Sequence, residues 1–219
     1  MLKAQHPDYE MAQHGIHAQR GVACADCHMP YQSEGGVKFT NHKMQSPLNN
    51  IAASCQVCHR EEAETLVQNV YDRQDKVLAA RHELEKSLVR AHVEAKKAWD
   101  LGATEDQMKD ILDGIRRAQW RWDYVAATHG GSFHAPVECA RIVSHGQTIA
   151  QETRIKLARL LSALGFNEEI PYPDIDTKAK AQEFIGLDMK KFNEEKAAFL
   201  KEIVPGWKAT AAERESKWN

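Results

Sequence analysis

The chain has 219 residues, with 29 Lys and Arg against 31 Asp and Glu and a formal net charge of −2. This balance excludes the broad basic surface of a nucleic-acid-binding protein, so no nucleic-acid partner is expected. No apolar run approaches the ~20 residues that a membrane-spanning helix needs. The chain contains 11 His, and four of its 5 Cys lie between positions 24 and 58.

The composition and the hydrophobic periodicity of the sequence change near residue 60. We treat 1–60 and 61–219 as two segments of one folding unit. Residues 1–60 show no sustained helical or strand period and are rich in Gly, Pro, Cys and His. This pattern predicts loops and short turns of helix. The second segment predicts helix almost throughout. The expected fold class is therefore all-α, with a loop-rich first segment followed by long packed helices.

A first long helix is predicted from a seam of apolar residues that recurs every seven positions: Ala63, Val70, Val77, Leu84, Ala91 and Ala98. The second seam that a coiled coil requires is impure. The helix is therefore expected to pack on another helix of this chain or on another subunit, and the sequence leaves both open.

Further helices follow from start and stop signals. Gly102 ends the first helix, and Thr104 to Gln107 has the spacing of a capping box that starts a second. A third helix is predicted from Pro136 to Gly165, because proline favours a first turn and glycine a stop. After an extended link, two shorter helices are predicted at about 177–185 and 189–204, closed by Pro205.

Two C-x-x-C-H motifs carry the main chemical signal: Cys24-Ala25-Asp26-Cys27-His28 and Cys55-Gln56-Val57-Cys58-His59. This is the attachment signature of c-type haem. Two thiols at this spacing can form thioethers to one porphyrin, and the following His supplies an axial nitrogen to the iron. The alternatives are a four-cysteine zinc site, a thioredoxin-type pair and a disulfide framework. The zinc site would give no role to the two histidines. Two motifs within 36 residues favour haem.

Two more axial ligands are needed if both haems are six-coordinate. His17, after Gly15-Ile16, and His134, before Ala135-Pro136, lie in tight-turn settings that can hold an imidazole rigidly. His82, His92 and His145 lie on helical segments and are interpreted as surface residues. The lone Cys139 is interpreted as a small buried apolar residue.

Several short runs resemble the pentahaem cytochrome c nitrite reductases, an ammonia-forming family: Lys3-Ala4-Gln5-His6-Pro7, Gly15-Ile16-His17, Met29-Pro30 after the first haem motif, Thr40-Asn41-His42-Lys43, Ala118-Gln119-Trp120-Arg121-Trp122-Asp123 and His134-Ala135-Pro136. The runs keep the family's order from residue 1 to about residue 205. They resemble only the C-terminal half of the family. That family reduces nitrite to ammonia with six electrons, at a Lys-ligated haem supplied by four bis-His haems.

The resemblance implies two bis-His haem sites in this chain, out of five in the full family enzyme. For the family's fourth site it implies the thioether and axial residues Cys24, Cys27, His28 and His134. For the fifth it implies Cys55, Cys58, His59 and His17. In each set the last residue is the distal ligand. His42 resembles the distal ligand of the second haem, which has no motif in this chain.

The resemblance also implies a role in a substrate pocket. His6 corresponds to the pocket histidine that binds nitrite oxygens and supports proton delivery, and it is the candidate catalytic residue. Lys3, through its carbonyl, and Gln5, through its side chain, correspond to ligands of a structural calcium. The chemistry agrees, because an imidazole exchanges protons near pH 7 and calcium prefers oxygen ligands.

The sequence also departs from the family. It has no C-x-x-C-K motif, and the first three haem motifs, the pocket Arg and Tyr and an export signal are missing from this chain. We therefore expect a fragment of a periplasmic enzyme. Such an enzyme would take electrons from a membrane-anchored or soluble cytochrome donor. The resemblance implies a homodimer formed through the long C-terminal helices, with which the seam from Ala63 to Ala98 is consistent.

Three alternatives remain open on the sequence. The chain could be a stand-alone dihaem electron carrier without catalysis, or a zinc-bound helical module. Within the family, hydroxylamine or sulfite could replace nitrite as the main substrate.

Overall fold

The structure is a computed structural model that describes residues 7–218. These residues divide into two compact units, one ending at Ile170 and the other beginning at Pro171. Helices account for nearly all the regular structure, with one short two-stranded sheet in the described part. The predicted all-α class is confirmed. The change of composition and periodicity near residue 60 lies inside the first unit.

Residues 7–60 form short elements in which each helix has one or two turns. They are α1 (Asp8–Ala12), α2 (Ile16–Gln19), α3 (Cys24–His28), β1 (Tyr31–Glu34), β2 (Val37–Thr40), a 3-10 turn (Pro47–Asn50) and α4 (Ile51–Ser54). Most of their side chains are exposed or half-buried, so little apolar surface holds this region together.

The antiparallel hairpin of β1 and β2 is an exception to the predicted loops and helical turns. Tyr31 pairs with Thr40 and Glu34 with Val37, and the strands are joined by Gly35 and Gly36. Both glycines have positive φ, 56° and 84°, which is the conformation of a two-residue hairpin turn. The Gly-Gly dipeptide was the sequence signal for this hairpin.

Three long helices form the core of the first unit: α5 (Ala63–Asp100), α6 (Glu105–Ala127) and α8 (Pro136–Ala163). The seven-residue seam of α5 is buried from Val70 to Ala98 against these neighbours. The seam therefore packs on helices of the same chain. A short helix, α7 (Gly131–His134), connects α6 to α8.

The ends of the long helices follow their predicted signals. Gly102 and Gly165 have positive φ values of 88° and 86°, just beyond α5 and α8. The Thr104 hydroxyl accepts a hydrogen bond from the Gln107 backbone N–H, and the Gln107 side chain accepts one from the Thr104 N–H. This reciprocal pair is the predicted capping box.

Close contact between α6 and α8 depends on a glycine. A Cβ atom at Gly114 would overlap the side chain of Thr153, whose hydroxyl donates a 2.7 Å hydrogen bond to the Ile149 carbonyl. Thr153 is buried, so its side chain cannot turn toward solvent. The absence of a side chain at Gly114 therefore sets how closely the two helices approach.

The second unit contains three helices, α9 (Lys178–Phe184), α10 (Met189–Glu202) and α11 (Val204–Glu215). The helix predicted at about 189–204 ends at Glu202, and a further helix that the sequence did not predict follows it directly. Pro205 lies in the first turn of α11, where its missing N–H costs nothing and its fixed φ suits a helix. The Phe199 and Trp207 rings meet edge to face, with centroids 5.4 Å apart, and join α10 to α11. None of the described helices is both long and apolar enough to cross a membrane.

Candidate haem-binding site

The two cysteine motifs lie next to each other. Cys24 begins α3 and Cys55 follows α4, and these two short helices are in contact. Burial raises the pKa of the Cys27 thiol, and the charges of nearby Cys55 and Cys58 raise it further. All four motif cysteines are free thiols that are exposed or half-buried. They are therefore open to reaction with a large prosthetic group.

His28 lies opposite His134. Their ring centroids are 6.2 Å apart and their planes make an angle of 72°. A metal–imidazole nitrogen bond is about 2.0 Å, so two imidazoles on opposite sides of one metal have ring centres roughly 6 Å apart. The separation suits a bis-imidazole iron site.

His17 lies opposite His59 in a similar arrangement. Their ring centroids are 6.1 Å apart and their planes make an angle of 80°. Each C-x-x-C-H histidine thus faces one imidazole from a distant part of the first unit. The structure brings these residues together in the two pairs that the resemblance implies.

Acceptor oxygens lie near Nδ1 of both motif histidines, within hydrogen-bond distance in the case of His28. The Nδ1 atom of His28 lies 3.0 Å from the Gln45 carbonyl oxygen. The Nδ1 atom of His59 lies 3.7 Å from a Glu61 carboxylate oxygen. A partner at Nδ1 holds the ring and leaves Nε2 for a metal, as is usual for metal-binding histidines.

The opposing histidines have environments that favour the neutral ring. Burial lowers the pKa of His134, and His28 lowers it further. Burial also lowers the pKa of His17, with further contributions from His59 and Arg73. Neutral imidazole is the form that binds iron, so these surroundings suit a ligand.

The donor set fits covalent haem better than zinc. Within residues 7–218, no group of three or more His, Cys, Asp or Glu side chains converges so as to hold a metal ion. The four cysteines therefore do not form the tetrahedral cluster that a structural zinc site needs. Two thiol pairs, each followed by a histidine that faces a second imidazole, match the attachment and axial ligation of two c-type haems.

The other predicted residues lie elsewhere. His42 is exposed after β2, with its Nε2 atom 3.2 Å from the Thr40 hydroxyl. His6, Lys3 and Gln5 lie outside the described residues, so their predicted roles stay predictions.

The helix histidines and Cys139 follow their sequence interpretation. His82 and His145 contact polar side chains on the helices, namely Glu85 and Arg121. His92 is exposed on α5, and Cys139 is fully buried in the first unit's core.

Sequence reasoning missed residues that support the paired imidazoles. The Phe133 ring neighbours both opposing histidines, 5.7 Å from the His17 ring and 6.2 Å from the His134 ring. The Asp8 carboxylate accepts a 3.0 Å hydrogen bond from the Gly130 N–H and joins α1 to α7. The only local signal was the glycines near each histidine, Gly15, Gly130 and Gly131.

Known proteins with similar sequences are cytochromes. One is cytochrome c-552 of Bacteroides thetaiotaomicron, 61% identical over 207 residues that cover 94% of this chain and 42% of the relative. The relative from Parabacteroides distasonis is 59% identical over 213 residues, covering 97% and 43%. That from Porphyromonas gingivalis is 56% identical over 207 residues, covering 94% and 42%. The chain therefore spans about two fifths of the length of these relatives.

A solved structure shows a similar fold. The cytochrome c nitrite reductase of Desulfovibrio desulfuricans ATCC 27774, described as a catalytic subunit with two calcium sites, matches with a TM-score of 0.68 and 30% sequence identity. The match covers 76% of this chain and 37% of that chain. The sequence model of the cytochrome c552 family matches residues 1–216, and the chain belongs to this family of haem-binding cytochromes.

Proposed function

We propose that the chain carries two covalently bound c-type haems that transfer electrons. Cys24 and Cys27 would attach one, with His28 and His134 as axial ligands. Cys55, Cys58, His59 and His17 would hold the other. The observation that carries this proposal is the facing of each motif histidine by a second imidazole at 6.1–6.2 Å between ring centroids.

The residues around each site suit electron transfer. A haem iron with two axial imidazoles exchanges one electron and keeps no open position for a substrate. The chain's part is to fix the four rings. The Gln45 carbonyl orients His28, Glu61 lies beside Nδ1 of His59, and burial lowers the pKa of His17 and of His134, which favours the neutral ring. Contact between α3 and α4 brings the two attachment motifs together, which supports exchange between the two sites.

For a protein that has the full length of the relatives of this chain, we propose periplasmic reduction of nitrite to ammonia. The support is family membership and the likeness to a nitrite reductase structure. In this proposal His6 binds nitrite oxygens and delivers protons, Lys3 and Gln5 hold calcium, and His42 is the distal ligand of a haem attached elsewhere. A cytochrome donor supplies electrons, and the protein is a homodimer.

A carrier without catalysis is the second candidate. It is favoured by the two imidazole pairs, because bis-imidazole sites serve electron transfer and not substrate binding. An assay of ammonia formation from nitrite, with a reduced dye as donor and the protein of family length, separates the two. His6→Ala should strongly lower turnover while the haem content is kept. Unchanged turnover would remove His6 from the pocket.

The haem proposal is tested by intact mass and haem stoichiometry. The chain, produced behind an export signal in a host that matures c-type cytochromes, should carry two covalent haems. Replacing both Cys55 and Cys58 by Ser should remove both thioethers of the second haem, so that this haem is no longer covalent and is extracted by acidified organic solvent. Cys139→Ser is the matched control and should keep both. A mass without haem, together with bound zinc, would refute the proposal.

A further inference from the structure

The two distal histidines of the proposed haem sites lie on segments in direct contact. Gly15 is the residue before α2, which carries His17, and a Cβ atom at Gly15 would overlap the backbone carbonyl of His134. The backbone angles of Gly15, φ −86° and ψ 154°, are ones that any residue adopts. Glycine is therefore needed here for space alone.

A second glycine packs against the His134 ring. A Cβ atom at Gly130 would overlap the imidazole of His134, and Gly130 too has an ordinary backbone conformation, φ −95° and ψ −3°. The Nδ1 atom of His134 is buried and has no hydrogen-bond partner among the described residues. Packing therefore sets the orientation of this ring, in contrast to His28, which is oriented by the Gln45 carbonyl.

An aromatic ring completes the connection. Phe133 is tilted by 32° over the His17 ring at 5.7 Å, and it meets the His134 ring at 61° and 6.2 Å. The His17 and His134 rings thus share one neighbour at the side chain, and their segments touch at the backbone. A shift of either segment moves the surroundings of both rings, because close-packed groups transmit displacement.

We propose that Gly15 and Phe133 form a distal clamp that couples the axial ligation of the two haem sites. This inference rests on the proposed function, in which His17 and His134 bind the two irons. Gly15 and Phe133 are positioning residues for both sites, whereas Gly130 positions His134 alone. The two haems therefore respond together when the clamp is disturbed.

The test compares glycine-to-alanine variants of the haem-loaded chain. Gly15→Ala should change both low-spin ferric signals in electron paramagnetic resonance, because the backbone carbonyl of His134 cannot yield without moving α7. Gly130→Ala should change one signal. Gly206→Ala is the control, since a Cβ atom there meets nothing within 4 Å, and it should change neither. Covalent haem content should stay at two in all three, because the thioethers do not depend on the distal ligands.

A second variant keeps the test decisive if Gly15→Ala does not fold. Phe133→Leu leaves the backbone contact in place and should shift both midpoint potentials in a redox titration. A change confined to one haem, or to none, in Gly15→Ala or in Phe133→Leu would overturn the clamp. Absence of covalent haem from the unaltered chain would instead refute the proposed function, so the two failures are distinguishable.

Discussion

Arg154 on α8 donates two hydrogen bonds to one carboxylate oxygen of Glu94 on α5. Its Nε atom lies 2.8 Å and its Nη2 atom 2.6 Å from that oxygen. The Glu94 side chain is only 7% exposed and that of Arg154 26%. The pair therefore joins two core helices where water screens it little. Its contribution to stability should exceed that of an ion pair on the surface.

Loss of Arg154 should destabilise the fold strongly. Arg154→Met keeps much of the side-chain volume but removes two hydrogen bonds from a carboxylate that is almost wholly out of water. The free energy of unfolding should fall by about 1.5–3 kcal/mol, the range for hydrogen bonds to a charged group. Urea denaturation followed by far-ultraviolet circular dichroism measures this.

The matched control breaks an exposed ion pair on α5, the helix that carries Glu94. Lys86 lies 3.0 Å from Glu83, with side chains 38% and 66% exposed. Lys86→Met should change the free energy of unfolding by less than about 1 kcal/mol, because exposed pairs gain little. Equal losses for the two variants would show that burial of Glu94 does not matter.

Glu138 provides a pH-dependent contribution to stability. Arg141 donates to both of its carboxylate oxygens, at 2.7 and 2.6 Å, and this hydrogen bonding lowers the pKa of Glu138 below its ordinary value of 4.5. A lowered pKa in the folded state means that the pair stabilises the fold above the unfolded-state pKa. The contribution is lost as the pH falls through the folded-state pKa.

Glu138→Gln should therefore reduce stability at pH 7 and not at strongly acidic pH. We expect a difference below about 1 kcal/mol at pH 7, because Arg141 is largely exposed. The difference from the unaltered chain should shrink once the pH falls below 4.5. Urea unfolding at neutral and acidic pH measures it. A difference that grows as the pH falls would contradict the assignment.

The long helices could be predicted because their signals are local. The seven-residue seam of α5, the capping box at Thr104 and the positive-φ glycines at 102 and 165 act within a few residues. The partner of the seam could not be predicted from periodicity, since a buried stripe looks the same whether it meets a helix of the same chain or another subunit.

Elements were missed where one residue type has two meanings. Pro205 was interpreted as a stop, but in the first turn of α11 the same missing N–H is harmless. The glycines of residues 1–60 favour loops in the prediction, although the Gly35-Gly36 dipeptide also joins two short strands. In both cases position decides the meaning.

The attachment motifs were readable from the residues, but the opposing histidines were only partly so. Cysteine spacing directly reflects the porphyrin that it matches. The facing of His17 to His59 and of His28 to His134 is long-range, and it depends on contacts of α7 with α1 and of Gly15 with the His134 carbonyl. Such contacts leave no periodic trace in the sequence. The pairing therefore came from the resemblance alone.

The number of reactive thiols provides the last prediction. Cys139 is fully buried, and burial together with the charge of Glu138 raises its pKa to about 11. The thiolate is the reactive form, so the folded, haem-loaded chain should show no rapidly reacting thiol toward a disulfide reagent at pH 8. After denaturation one thiol should react, because the other four cysteines are thioethers in the proposed state. Any slow labelling of the folded chain should rise about tenfold per pH unit below that pKa.

Chain produced without haem gives the reference for this count. Its four motif cysteines are exposed or half-buried, so they should react without denaturant and leave Cys139 as the slow fifth thiol. If the chain produced in the haem-maturing host showed five reactive thiols after denaturation, no thioethers would have formed. If four thiols of the folded chain reacted only after a chelator was added, they would indicate a zinc site. That result would refute both the haem assignment and the coupling through Gly15.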